Sequence, residues 1–118
     1  MSPKRGDRGA PPPLHTEFEI RFATTEAATG RDQLAQQAPV NLRRAFDTIR
    51  ADPREATNPD RHHRLKGSLG SANWKGAALE RWQYEVTSGG RIWYLVDDER
   101  RTAWIVYAGT GHPKSTER

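Results

Sequence analysis

The sequence predicts an α+β domain in which two N-terminal helices pack on one face of a small, mostly antiparallel four-stranded sheet. Three observations predict it. The end of the chain carries three apolar, aromatic-rich runs separated by short turns: Arg81–Val86, Arg91–Val96 and Thr102–Tyr107. Trp82, Trp93 and Trp104 recur eleven residues apart, one per run, which is the rhythm of a strand meander. Upstream, Leu42, Ala45, Phe46 and Ile49 repeat at i, i+3, i+4 and i+7, the stripe of a helix that buries one side.

Residues 1–14 (MSPKRGDRGAPPPL) combine proline, glycine and charge with almost nothing to bury. They are expected to form a disordered, solvated tail, with Pro11-Pro12-Pro13 inclined to polyproline II. Residues 15–114 then form the single domain, and 115–118 a polar end. Phe18, Ile20 and Phe22 alternate with charged neighbours, so this stretch is a strand with one face inward. Thr24 or Thr25 offers an N-cap, and Glu26 places an anion in the first turn of a helix running from about Thr25 to Gln37. Gly30 weakens that helix by about 1 kcal/mol relative to alanine. Pro39 suits the first turn of the second helix, and Ala51-Asp52-Pro53 ends it.

From Arg54 to Ala78 the chain reads as a long loop, broken by Pro59, Gly67, Gly70 and Gly76. In the next run Trp82, Tyr84 and Val86 alternate with polar residues, as a half-buried strand requires. Ser88-Gly89-Gly90 supplies the turn. Ile92–Val96 shows no alternation, which predicts a central strand covered on both faces. Asp97–Arg101 is a charged turn into the last strand.

At 118 residues the chain has room for one core. A hydrophobic fraction of 34% is lean, but four Trp, three Tyr and three Phe compensate, since each large ring buries about 150–250 Å². The absence of cysteine excludes a disulfide framework and thiolate chemistry. No apolar run approaches the roughly 20 residues of a membrane span, and the start has no signal-peptide core. The expectation is a soluble, cytoplasmic protein with no membrane contact. Nineteen basic residues against fifteen acidic ones, with a formal charge of +4, favour a polyanion or an acidic protein as partner.

No nucleotide loop, metal tetrad or nucleophile triad is visible, so no cofactor and no metal site are expected. His62 and His63 are adjacent and read as two loop histidines. The informative set is dispersed: Arg64 and Lys66 before the sheet, Arg91 at the central strand, and His112 after the last strand. In an antiparallel meander the start of one strand lies near the end of its neighbour, so Arg91 and His112 are expected to approach each other. Fixed cations beside a group that titrates near neutrality suit metal-free RNA cleavage, while composition and spacing alone favour reading Arg91 as a solvent-side strand residue and Lys66 as an ordinary loop lysine. A base deprotonates a 2′-hydroxyl, cations stabilise charge on phosphorus, and an acid protonates the leaving oxygen.

The chain resembles the RelE/ParE superfamily of bacterial toxins from type II toxin–antitoxin systems. The resemblance covers roughly Phe18 to Lys114. It rests on the element order, Arg64-Leu65-Lys66-Gly67, Arg91-Ile92-Trp93-Tyr94-Leu95-Val96-Asp97-Asp98, the charged hairpin into Thr102–Tyr107, and Gly111-His112. It implies one of two activities. RelE-type members cleave messenger RNA on the ribosome without metal; ParE-type members inhibit DNA gyrase and need no catalytic residues. In the first case the resemblance implies catalytic roles for Arg91, Lys66 and His112. RNA contacts would come from Arg64, Lys75, Arg81, Tyr107 and Lys114. It also implies a cognate antitoxin as partner, in a hetero-oligomeric complex. The chain departs from the ribonuclease pattern at Tyr107, where an arginine is frequent, at Gly109-Thr110 and Pro113, and in lacking a terminal aromatic.

Overall fold

The computed structural model describes residues 3–111. Its elements are β1 (Glu19–Phe22), α1 (Thr25–Gln37), α2 (Pro39–Ala51), β2 (His62–Arg64), a 3-10 turn (Gly67–Gly70), β3 (Ser71–Trp74), β4 (Ala77–Glu85), β5 (Arg91–Asp97) and β6 (Thr102–Gly109). The α+β class and the two helices are as expected. The sheet, however, has six strands rather than four, in the order β1-β6-β5-β4-β2, with β3 also on β4. β1 runs parallel to β6, and the remaining pairs are antiparallel.

The two additional strands come from the stretch read as a long loop. β4 is nine residues long, so its outer edge holds two short strands end to end. β2 pairs with Trp82–Tyr84, and β3 pairs with Ala77–Glu80. At three and four residues each, β2 and β3 are too short to show a period. Lys75 and Gly76 close the β3–β4 hairpin, both at positive φ (51° and 84°), which is the geometry of a tight two-residue turn.

The helices form where the sequence places them. The Thr24 hydroxyl accepts from the Ala27 amide at the start of α1 (3.0 Å). Pro39 opens α2, which buries Leu42, Ala45, Phe46 and Ile49. Gly30 turns out to be a packing requirement rather than a weakness. A Cβ there would lie 1.6 Å from the Ala108 carbonyl oxygen, so α1 rests backbone to backbone on β6.

Within the stretch expected to be a solvated tail, residues 6–9 lie along the outer edge of β1 instead. The Gly6 amide donates to the Phe22 carbonyl, and the Gly9 amide to that of Ile20. The Phe22 amide donates back to Asp7. Gly6 and Gly9 let this arm cap the edge strand through its backbone, a contact that composition does not encode.

β5 is central and enclosed from Ile92 to Asp97, as its unbroken apolar run predicts. Trp82, Trp93 and Trp104 are all buried, but on different faces. Trp82, Tyr84, Tyr94 and Ile105 join the helices in the main core. Leu95 and Trp104 belong to a smaller cluster on the opposite face, with Ala23. No helix of the described residues is long and apolar enough to cross a membrane.

Candidate nucleic-acid interface

The face of the sheet away from the helices gathers the residues of interest, and strand register explains why. One row across this face runs His63, Gln83, Trp93, Tyr107, from β2, β4, β5 and β6. Tyr107 reaches it through a β-bulge. The register shifts between Trp93 and Tyr94, so Val106 is passed over, and Tyr107 pairs with Trp93 while Ile105 pairs with Tyr94. The Tyr107 and Trp93 rings meet edge to face at 6.4 Å.

Two guanidinium groups flank this row. Arg91 opens β5, and its Nη1 lies 3.5 Å from the Gln83 Oε1, which also accepts from Trp93 Nε1 at 2.8 Å. Arg81, one alternation away on β4, stands over the Trp93 ring at 5.7 Å. No carboxylate among the described residues pairs with either arginine. Their Nε atoms are both enclosed without an acceptor. Burial pushes the Arg81 pKa down from its ordinary value, the expected sign for a cation removed from water without a counter-charge. Half-buried cations lacking an acidic partner suit an incoming anion, because the ligand then supplies the missing compensation.

A second feature of the same face is a cleft of about 470 Å³ whose lining includes the cations Arg5, Arg21, Lys75 and Arg100, the indoles of Trp74 and Trp104, and one carboxylate, Glu19. Here some cations are already committed. Arg21 pairs with Glu19 (2.7 Å) and Arg100 with Asp97 (3.2 Å). Asp97 also accepts from Trp104 Nε1 (3.1 Å) and from the Arg100 amide. Burial would raise its pKa, but the bonds from Trp104 and Arg100 outweigh that and hold the carboxyl below its usual range.

The expected site residues divide accordingly. Arg91, Arg81 and Tyr107 come together around Trp93, and Lys75 stands at the cleft. Arg64 is engaged by the chain itself, donating to the Gly70 carbonyl and the Ser71 hydroxyl (both 2.9 Å), so it braces the turn before β3. Lys66 is exposed and directly follows Leu65, whose amide bonds the Arg81 carbonyl at the β4 edge. His112 and Lys114 lie outside the described residues, as does the expected approach of His112 to Arg91. Arg91 itself pairs with Gly109.

His62 is a correction. It is not a loop histidine: it lies in β2, 2% exposed, against Trp82, Tyr84 and Tyr94. Its Nε2 bonds the Tyr94 hydroxyl, which in turn donates to the Pro53 carbonyl (2.6 Å). Desolvation pushes its pKa down, so the imidazole is a neutral core group. Gln83 is the site residue that sequence reading overlooked. Its place two residues from Arg81, on the polar phase of an alternating strand, was the available signal.

Among the described residues no group of three or more His, Asp or Glu side chains is arranged to hold a metal ion. No protein-family model, curated protein or solved structure matches the chain.

Proposed function

We propose that the protein is a toxin-like endoribonuclease of the RelE type, acting on ribosome-bound messenger RNA and held in check by an antitoxin. The observation that carries this reading is the pair Arg81 and Arg91. They flank the Gln83–Trp93–Tyr107 row on a rigid sheet and have no carboxylate partner among the described residues. An enzyme that cleaves RNA through the substrate's 2′-hydroxyl must stabilise charge as it builds on the phosphate. Preorganised guanidinium groups do this without reorganising at the moment of reaction.

In this mechanism Arg91 engages the scissile phosphate through its fork of N–H donors, and Arg81 adds charge from the neighbouring strand. Trp93 and Tyr107 hold the aromatic surface beside them. Lys66 supports the field from the β4 edge. His112 follows β6 closely in the chain and exchanges the proton, since an imidazole titrates near neutrality. A basic toxin surface also suits an acidic antitoxin segment that folds across it.

The test is cleavage of messenger RNA on purified ribosomes. Arg91→Ala is expected to fold normally and cut about 10²–10³-fold more slowly, the usual effect of losing one transition-state donor. Arg91→Lys recovers only part of the rate, because an ammonium cannot reproduce the bidentate contact. A folded Arg91→Ala that cuts at the wild-type rate removes the proposed site. If expression leaves translation intact while DNA damage responses rise, a ParE-like action on gyrase replaces the ribonuclease reading.

A further inference from the structure

We infer that the cleft between the N-terminal arm and the β3–β4 hairpin is a phosphate-binding subsite for single-stranded RNA, with Lys75 and Arg5 as its cations. The inference rests on the reading above only in taking RNA as the ligand. The subsite itself is built from different residues.

Lys75 is the first observation. It occupies the leading position of a two-residue turn at φ 51°, where asparagine, aspartate or glycine is the ordinary choice. Turn chemistry therefore does not explain a lysine there. Its ammonium is held instead over two indoles, 4.6 Å from the Trp104 ring centre and 5.8 Å from that of Trp74. Arg5 also reaches the Trp74 ring, at 6.0 Å, from the arm that lies along β1. Neither cation has a carboxylate partner among the described residues, in contrast to Arg21 and Arg100 in the same cleft. Trp74 Nε1 is enclosed with no acceptor. The cleft thus offers donors and positive charge beside aromatic surface, the combination that binds a single strand through its backbone and bases.

Its position links it to the Arg81–Arg91 pair. A row across the sheet runs Arg81, Leu95, Trp104, Arg21. Three inter-strand steps of ~4.8 Å put its ends about 14 Å apart. One strand of RNA can lie along this row, with one phosphate at Arg81 and Arg91 and a second, further along the strand, at Lys75 and Arg5. An acidic peptide would satisfy the cations but gains less from the flanking indoles, so RNA is the occupant proposed.

The experiment measures binding, not cleavage, of short fluorescent single-stranded RNA across a salt series, with DNA of the same sequence and an acidic peptide as further arms. Lys75→Asn keeps a residue suited to the turn, and Arg5→Ala lies in the arm, so the two variants perturb the fold in different places. Each is expected to keep the wild-type melting temperature and weaken RNA binding roughly five- to tenfold. Each should also flatten the slope of log K against log salt by about 0.7, the loss of one phosphate contact on a single strand. Wild-type affinity and slope in both variants overturn the subsite, as does an RNA affinity below that for the acidic peptide. Equal binding of the DNA keeps the phosphate site but removes its preference for RNA. The outcomes are separable: if Arg91→Ala cuts normally while Lys75→Asn binds weakly, the catalytic reading fails and the subsite stands.

Discussion

The two faces of the sheet put the same kinds of residue to different uses. Trp93 and Tyr94 are neighbours on β5, and both are enclosed, at 4% and 0% exposure. Tyr94 enters the main core under the helices, and its hydroxyl is fixed between His62 and the Pro53 carbonyl. Trp93 points the other way, where its cover is polar: Arg81 above the ring, Gln83 on its Nε1, Tyr107 at its edge. On the helix side the His62 Nδ1 and the Arg50 Nε are the buried side-chain atoms left without a partner among the described residues. The opposite side leaves cations uncompensated. A face closed by packing stabilises the domain, and a face closed by cations without a counter-charge suits the anion proposed above.

Truncating this adjacent pair breaks the comparison most directly. Tyr94→Ala should cost about 3–5 kcal/mol, because a cavity between sheet and helices cannot collapse and the His62 bond is lost with it. Trp93→Ala should cost roughly half as much, since Arg81, Arg91 and water can fill the space. Urea unfolding of both variants reads this out. Equal losses would show that the open face is packed as rigidly as the core.

Gly30 sharpens the contrast from the helix side. Helix propensity alone makes Gly30→Ala stabilising by about 1 kcal/mol. The Ala108 carbonyl in its path predicts the opposite. A backbone atom cannot swing aside, so a net loss at the upper end of the ~1–3 kcal/mol typical of overpacking is expected. A raised melting temperature for this variant would show that α1 does not seat on β6 as described.

The smallest effect is a pH dependence confined to the covered face. His62 has a pKa lowered chiefly by burial, with the ordinary value near 6.5 recovered on unfolding. The unfolded chain therefore binds a proton that the folded one resists. The stabilisation is complete above pH 6.5 and is lost as pH falls toward the folded value, at up to about 1.4 kcal/mol per pH unit. Urea midpoints at pH 7.5, 6.5 and 5.5 should decline for the wild type. His62→Gln should flatten that decline. Arg81→Ala should not, since guanidinium stays charged throughout this range.

Much of this was legible from local pattern. The spacing of Leu42, Ala45, Phe46 and Ile49 specified α2, the capping Thr24 and Pro39 set the helix starts, and the unbroken Ile92–Val96 run specified a central strand. These are short-range regularities, and a period of 3.6 or 2 is visible in a single segment. That Arg91 opens the central strand was also legible, because Ser88-Gly89-Gly90 marks a turn just before it.

Tertiary structure decided the rest, because it depends on which segments meet. β2 and β3 exist only because β4 has an edge long enough to pair with both. The N-terminal arm is ordered by backbone bonds to β1, to which its side-chain composition gives no clue. Tyr107 shares a face with Trp93 only because a bulge at Val106 reverses the alternation that the sequence implies. Lys75 meets Trp104 across twenty-nine residues of chain, so no local window contains both. The sequence by itself determined which residues could be buried and which could carry charge. Pairing register determined which of those charges lie side by side, because it sets which residue of one strand faces which of the next, and no single segment shows that.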